Sequence, residues 1–147
     1  MKRSFELTGG DFSDGGEIPR ECGYKNGNEA PLLRASGIPE GTKSLALIMD
    51  DPDAMEAVGK IWVHWVAWNI DPTNTELENL TTVGMTDFGE VGYGGPAPPD
   101  KRHTYVFKLY ALDSKLDLPD GSTKADVEKA MEGHILEEPT LTGTYAP

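Results

Sequence analysis

Two histidines and a run of carboxylates stand where this sequence could do acid–base or ligand chemistry. Asp51 and Asp53 follow directly on the apolar run Ser44-Leu-Ala-Leu-Ile-Met49, within Asp50-Asp51-Pro52-Asp53. His64 is the one titratable residue inside Ile61–Ile70, IWVHWVAWNI, and His103 heads a third apolar run, HTYVFKLYAL. An imidazole titrates near neutrality and can donate, accept or ligate, and a carboxylate can hold it in one tautomer. Two imidazoles with a carboxylate therefore support anion binding, a two-His-one-carboxylate metal centre, or proton transfer. The metal option lacks a His-x-His pair, an HExxH motif or a cysteine partner, and nucleophilic catalysis lacks a Gly-x-Ser-x-Gly elbow. Anion binding is the expectation, with Asp51 orienting a histidine rather than meeting the anion itself.

The approach to His103 is unusual. Gly92 to Tyr105 reads GYGGPAPPDKRHTY, in which glycines allow close backbone approach and prolines fix φ and remove donors. Such a stiff loop, ending on a titratable residue, suits a preformed site with backbone N–H groups facing a ligand.

The elements that must carry these residues follow from the hydrophobic pattern. Residues 44–49 are apolar on both parities and bounded by turn residues, as in a strand buried on both faces. Pro52 cannot continue a sheet ladder, so the carboxylates lie at the rim of a core. In 61–70 the alternation puts Trp62, His64, Val66 and Trp68 on one face and Ile61, Val63, Trp65 and Ala67 on the other. All three tryptophans lie there, which places this strand at the centre of the sheet. Residues 103–112 form a third strand, with His103, Tyr105, Phe107, Leu109 and Ala111 on one face. Residues 3–7 suit a short edge strand, another short strand is expected near Ile18, and residues 28–43 and 71–92 read as extended chain, turns and loop. Ser122 or Thr123 can cap a helix carrying Val127, Ala130, Met131 and His134 on one face, with Gly133 ending it. His134 is expected at the helix C-terminus as a cap, and the tail as a strand broken by Pro139.

Composition narrows the function. Thirteen Lys and Arg against 25 Asp and Glu give a net charge of −12, which disfavours nucleic acid and anionic membranes because phosphate binding needs clustered cations. Cys22 is the only cysteine, which excludes an internal disulfide and suits a reducing, cytoplasmic setting. The start MKRSFELTGGDFSDGG has no apolar run and is not expected to be a signal peptide, and no segment reads as a membrane span. Length and the absence of linkers suggest one domain over residues 1–147.

Two blocks carry a family resemblance. The first is Asp51-Pro52-Asp53-Ala54 followed by Trp62-Val-His64-Trp65. The second is Tyr93-Gly94-Gly95-Pro96-Ala-Pro98-Pro99 followed by His103-Thr-Tyr105-Val-Phe107. With smaller matches at Gly41–Ser44, Asp87–Gly89 and Leu141–Tyr145, the chain resembles the phosphatidylethanolamine-binding proteins, in particular the shorter bacterial and archaeal members similar to the Raf kinase inhibitor. The resemblance implies a mostly β, sandwich-like fold with a central antiparallel-rich sheet and one or two short helices. It also implies a non-enzymatic protein with a small pocket for phosphate- or carboxylate-bearing ligands: a phospholipid headgroup, a nucleotide or a phosphopeptide-like group. Carried over by position, the pocket would use Asp51, His64, Gly95, Pro96, His103 and Tyr105, lined by Trp62 or Tyr93, with no metal and no cofactor. The alternatives are a protein–protein regulator of a kinase or protease with a vestigial pocket, and a metal-dependent hydrolase. The sequence departs from the family pattern at Met55, where a proline is usual, and at Thr104, where an arginine is usual.

Overall fold

The run that is apolar on both parities lies between two cores. In the computed structural model, which describes residues 4–147, strand β4 (Ser44–Asp51) sends Leu45, Leu47 and Met49 into a larger core and Ala46 and Ile48 into a smaller one. It pairs antiparallel with β5 (Trp62–Ile70) on one side and with β7 (His103–Leu112) on the other. Strand β9 (Thr140–Tyr145) continues the sheet beyond β7, and β2 (Gly16–Glu17) pairs parallel with β9, giving the order β2-β9-β7-β4-β5. A short strand, β8 (Ile135–Glu137), pairs with the far end of β7. Pro139 separates β8 from β9, as the tail sequence suggests.

The second sheet has three strands, β1 (Glu6–Gly9), β3 (Leu33–Ser36) and β6 (Glu76–Leu77), in the order β1-β3-β6. Its buried Leu7, Leu33, Ala35 and Leu77 face Leu47, Met49, Phe107 and Leu109 of the large sheet, which makes the fold a sandwich. The outer face of the large sheet is covered by helix α2 (Lys124–Met131), whose Val127 and Met131 pack on Ala46, Ile48, Val66 and Trp68. Thr123 caps α2 in a reciprocal capping box with Asp126. At the other end the His134 backbone N–H closes the last turn on Met131, while its ring pairs with Asp113 at 2.8 Å.

Three expectations change. The Trp-rich strand β5 is not central: it is the last strand of the large sheet, and β4 and β7 hold the middle. Trp65 and Trp68 are buried because chain that reads as loop covers the open edge. Trp68 N–H donates to Thr82 O, Gly84 N–H to Val66 O, Asp87 N–H to Val63 O, and Gly94 N–H to His64 O. The segment 28–43 holds β3, whose four residues alternate buried and exposed between turn-rich neighbours. The turn after Asp53 winds into a short helix, α1 (Ala54–Val58), ended by Gly59 at φ 78°. Of the strand expected over residues 3–7, Arg3 lies outside the described residues and the ladder runs from Glu6.

Strand β5 carries two irregularities, and both have a purpose in the packing. Opposite Leu45 and Leu47 lie Ile70 and Ala67, and opposite Met49 and Asp50 lie Trp65 and Val63, so β5 has one extra residue in each interval. In the first interval Asn69 adopts φ 53°, and its side chain clamps Leu116 through Nδ2 to O at 2.9 Å and N to Oδ1 at 2.8 Å. Asn69→Gly should lose only the clamp, while Asn69→Ala should also strain the backbone. We expect the alanine variant to be less stable than the glycine variant by about 1 kcal/mol in chemical unfolding. Equal stabilities would show that the backbone there is relaxed.

Candidate functional site

The other extra residue in β5 is His64, and it decides which face the ring occupies. Strict alternation would put His64 with Val66 and Trp68 against α2. The bulge brings it instead to the side of Asp51, His103 and Tyr105, with the Tyr105 ring edge-on at 5.1 Å. These residues meet because β4 ends, and β5 and β7 begin, at the same end of the large sheet. Helix α1 adds Ala54, Ala57 and Val58, and the long covering segment adds Phe88, Ala97 and Pro99. Together with Trp62 they enclose a cavity of about 190 Å³.

His103 lies fully buried between two carboxylates. Its Nδ1 is 2.5 Å from Asp51 Oδ2 and its Nε2 is 2.7 Å from Asp100 Oδ1. A carboxylate only accepts, so both ring nitrogens carry protons and the ring is an imidazolium. Burial pulls its pKa down, but the hydrogen bonds and charges of Asp51 and Asp100 outweigh burial and hold it above the ordinary histidine value. Both donors are therefore taken up within the protein, and the sequence expectation that His103 would donate to an anion does not fit this geometry. Asp51 holds a histidine as expected, and the histidine is His103.

His64 has the opposite character. Its Nδ1 is 2.7 Å from the Gly94 carbonyl, which can only accept, so Nδ1 carries the proton. Burial at 2% exposure lowers its pKa, with the Gly94 hydrogen bond and the Asp51 charge pulling weakly the other way. At neutral pH the ring is uncharged and Nε2 presents a lone pair.

Around the cavity three buried polar atoms have no hydrogen-bond partner: Asp51 Oδ1, Trp62 Nε1 and Tyr105 Oη. Burial holds the Tyr105 hydroxyl well above the usual phenol range, so it stays protonated. The site thus offers two donors from Trp62 and Tyr105, and two acceptors from Asp51 and neutral His64. Among the described residues no group of three or more His, Cys, Asp or Glu side chains is disposed to hold a metal ion.

Tyr93, Gly95 and Pro96 do not line this cavity. Their loop docks on residues 22–28 instead. Tyr93 donates to Cys22 O at 2.8 Å and packs edge-on against Trp65. The Gly95 N–H, expected to face a ligand, donates to Asn28 Oδ1 at 2.7 Å, and the Pro96 carbonyl accepts from Tyr24 N–H. Gly95 is required there because a β-carbon would collide with the Cys22 carbonyl. Gly94 lacks a β-carbon so that the Phe88 ring can pack over it, edge-on to both His64 and Trp62. Cys22 itself is buried, and burial with nearby Glu21 pushes its thiol up to about 12, so it is no nucleophile.

Several site residues escaped the sequence reading. Asp100 is three residues before His103, which was signal enough for a turn but not for a ring partner. Asp53, which the sequence does single out beside Asp51, accepts from the Thr104 N–H at 2.8 Å and so ties the start of β7 to α1. Phe88, Ala57 and Val58 carry no motif at all. No helix among the described residues is long and apolar enough to cross a membrane.

Comparison with known proteins agrees with the fold. The family profile described as PBP, Phosphatidylethanolamine-binding protein, matches residues 8–146. A UPF0098 protein of Methanothermobacter thermautotrophicus is 46% identical over 144 residues, covering 91% of this chain and 93% of its own. Among solved structures, a phosphatidylethanolamine-binding protein homolog from Chlamydia trachomatis superposes with a TM-score of 0.90 at 37% identity, over 97% of each chain. Escherichia coli YbcL, described as a member of the mammalian PEBP family, superposes with a TM-score of 0.88 at 32% identity, over 97% of this chain and 98% of its own.

The two histidines should titrate apart. His103, raised in the folded state, contributes stability that is complete below the unfolded value of about 6.5 and is lost as pH rises through its folded value. His64, lowered in the folded state, works the other way: its contribution is present above about 6.5 and lost as pH falls through its folded value. Imidazole nitrogen NMR at pH 7 should find His103 doubly protonated and His64 neutral with its proton on Nδ1. Asp100→Asn should lower the His103 value, and a His103 ring that is neutral at pH 6 would refute the two-carboxylate clamp.

Proposed function

This chain belongs to the phosphatidylethanolamine-binding protein family, and from that premise we propose that it is a non-enzymatic cytoplasmic protein whose cavity binds one phosphate- or carboxylate-bearing group of a small molecule. The observation that carries this is the set of unpartnered polar atoms, Asp51 Oδ1, Trp62 Nε1 and Tyr105 Oη, around one cavity. Leaving such a group buried and unpaired costs about 1–3 kcal/mol, which a ligand recovers when it supplies the partner. At about 190 Å³ the cavity is smaller than the roughly 300–1,000 Å³ of drug-sized pockets, so it suits a headgroup rather than a whole ligand.

The donors and acceptors also state the form of that group. Trp62 N–H and Tyr105 O–H each seek an oxygen, while Asp51 Oδ1 and His64 Nε2 seek a proton. A bare anion satisfies the first pair and leaves the second unanswered. A singly protonated phosphate ester or a carboxylic acid satisfies both, with the proton shared toward Asp51 or His64. Binding is then coupled to proton uptake, and it weakens as pH rises. The apolar walls from Ala57, Val58 and Phe88 exclude water and strengthen each of these contacts.

Titration with inorganic phosphate, acetate and methyl phosphate, followed at the His64 ring resonances, tests this. All three should perturb His64, with affinity higher at pH 6 than at pH 8, and His64→Ala should weaken methyl phosphate about tenfold, the scale of one charge-assisted hydrogen bond. No perturbation of His64 by any of them at millimolar concentration and pH 6 would sink the proposal.

A further inference from the structure

The turn that clamps the Gly/Pro loop contains a peptide unit able to react with its own side chain. We propose that Asn26-Gly27 is a modification site. Asn26 deamidates by attack of the Gly27 nitrogen, and the change loosens the hold of residues 22–28 on the Gly/Pro loop. The inference stands apart from what the cavity binds.

Of Asn26, Asn28, Asn69, Asn74 and Asn79, only Asn26 precedes a glycine. A side chain on the following residue hinders ring closure, and glycine has none. The fold requires glycine there, since Gly27 takes φ 125° and a β-carbon would lie 3.1 Å from the Glu21 carbonyl oxygen. Both residues are exposed. The N–H groups around them are occupied: Asn26 donates to Gly23 O at 3.0 Å, Asn28 to the same oxygen at 2.9 Å, and Glu29 to Glu21 O at 2.9 Å. Among the described residues the Gly27 N–H has no partner, so the nucleophile is not tied up.

The step needs only water and base. The Gly27 nitrogen loses its proton to hydroxide and bonds to Asn26 Cγ, and Nδ2 takes a proton and leaves as ammonia. The five-membered imide that results is opened by water at either carbonyl. One opening leaves an ordinary aspartyl side chain, and the other an isoaspartyl link that adds a carbon to the main chain.

Both products break the same contact. The Tyr145 hydroxyl gives its one proton to Arg20 O at 2.7 Å and accepts from Asn26 Nδ2 at 2.6 Å. A hydrogen bond of this kind slows ring closure by no more than about tenfold. A carboxylate in place of the amide has no proton to give, so two acceptors face each other. The same turn carries Asn28, whose side chain accepts from the Gly95 N–H at 2.7 Å and donates to Tyr93 O at 3.2 Å. An added main-chain carbon also separates Asn26 from Asn28, which share the Gly23 carbonyl.

Peptide mapping by mass spectrometry, on wild type incubated at pH 6 and at pH 8, tests the site. Deamidation should concentrate at Asn26, ahead of the exposed Asn74 and Asn79, and be faster at pH 8. Reaction no faster than at those two, or a rate independent of pH, overturns the inference. Asn26→Asp reproduces one product, and its Gly95 amide should exchange with solvent at least about tenfold faster than in wild type. Unchanged Gly95 exchange overturns the proposed loosening. Should Asn26→Asp not fold, the deamidated fraction of aged wild type, separated by ion exchange, gives the same readout with the same two outcomes.

Discussion

One extra residue in one strand sets the chemistry of this molecule. Strand β5 gains a residue on β4 at His64, and that gain turns the ring from the α2 side of the sheet to the side where Asp51, His103 and Tyr105 stand. A bulge of this kind is easiest to form where the partner on the far side is not a regular strand. Here the far side of β5 is the segment 82–94, held by scattered backbone bonds rather than a continuous ladder. Gly94 locks the result from both directions: its N–H donates to the His64 carbonyl and its carbonyl accepts the His64 Nδ1 proton. An edge position for β5 is thus a condition of the site.

Two identical side chains come out of this arrangement with opposite protonation. His103 meets two carboxylates and is a cation; His64 meets a carbonyl and apolar rings and is neutral. Environments that push two titratable groups apart are how one cavity holds an acid and a base at the same pH. His103 has no free donor left, and its part is to hold Asp51 by one oxygen so that the other stays available. Asp100 completes that hold from the exposed loop, and so influences the cavity without lining it.

Much of this was legible in the sequence. The double-parity run of β4, the alternating run of β7 and the capped helix α2 were written plainly, because each is decided by local pattern and burial. The convergence of Asp51, His64 and His103 was legible as polar residues at the ends or interruptions of apolar strands. The site of the bulge was not, since an inserted residue leaves the composition of a strand unchanged and alters only its register. The edge position of β5 was hidden for a related reason: tryptophans signal burial, and burial can come from covering chain as well as from neighbouring strands. Asp100 and Phe88 were hidden because turn residues and lone aromatics are common in loops.

The Gly/Pro loop shows how a motif can be recognised and its role still misassigned. Glycine marks close approach of the backbone to something, and a ligand is only one candidate for that something. At Gly95 it is the Cys22 carbonyl, and at Gly94 it is the Phe88 ring. Both approaches serve the cavity at one remove. The first clamps the loop to residues 22–28 through Asn28, which fixes the Gly94 carbonyl that sets the His64 tautomer. The second seats Phe88 as a wall against His64 and Trp62. The loop therefore determines what the cavity can bind while its own N–H groups face inward to the protein. A motif of this kind specifies a protonation state, and the ligand's chemistry follows from that state more directly than from the motif.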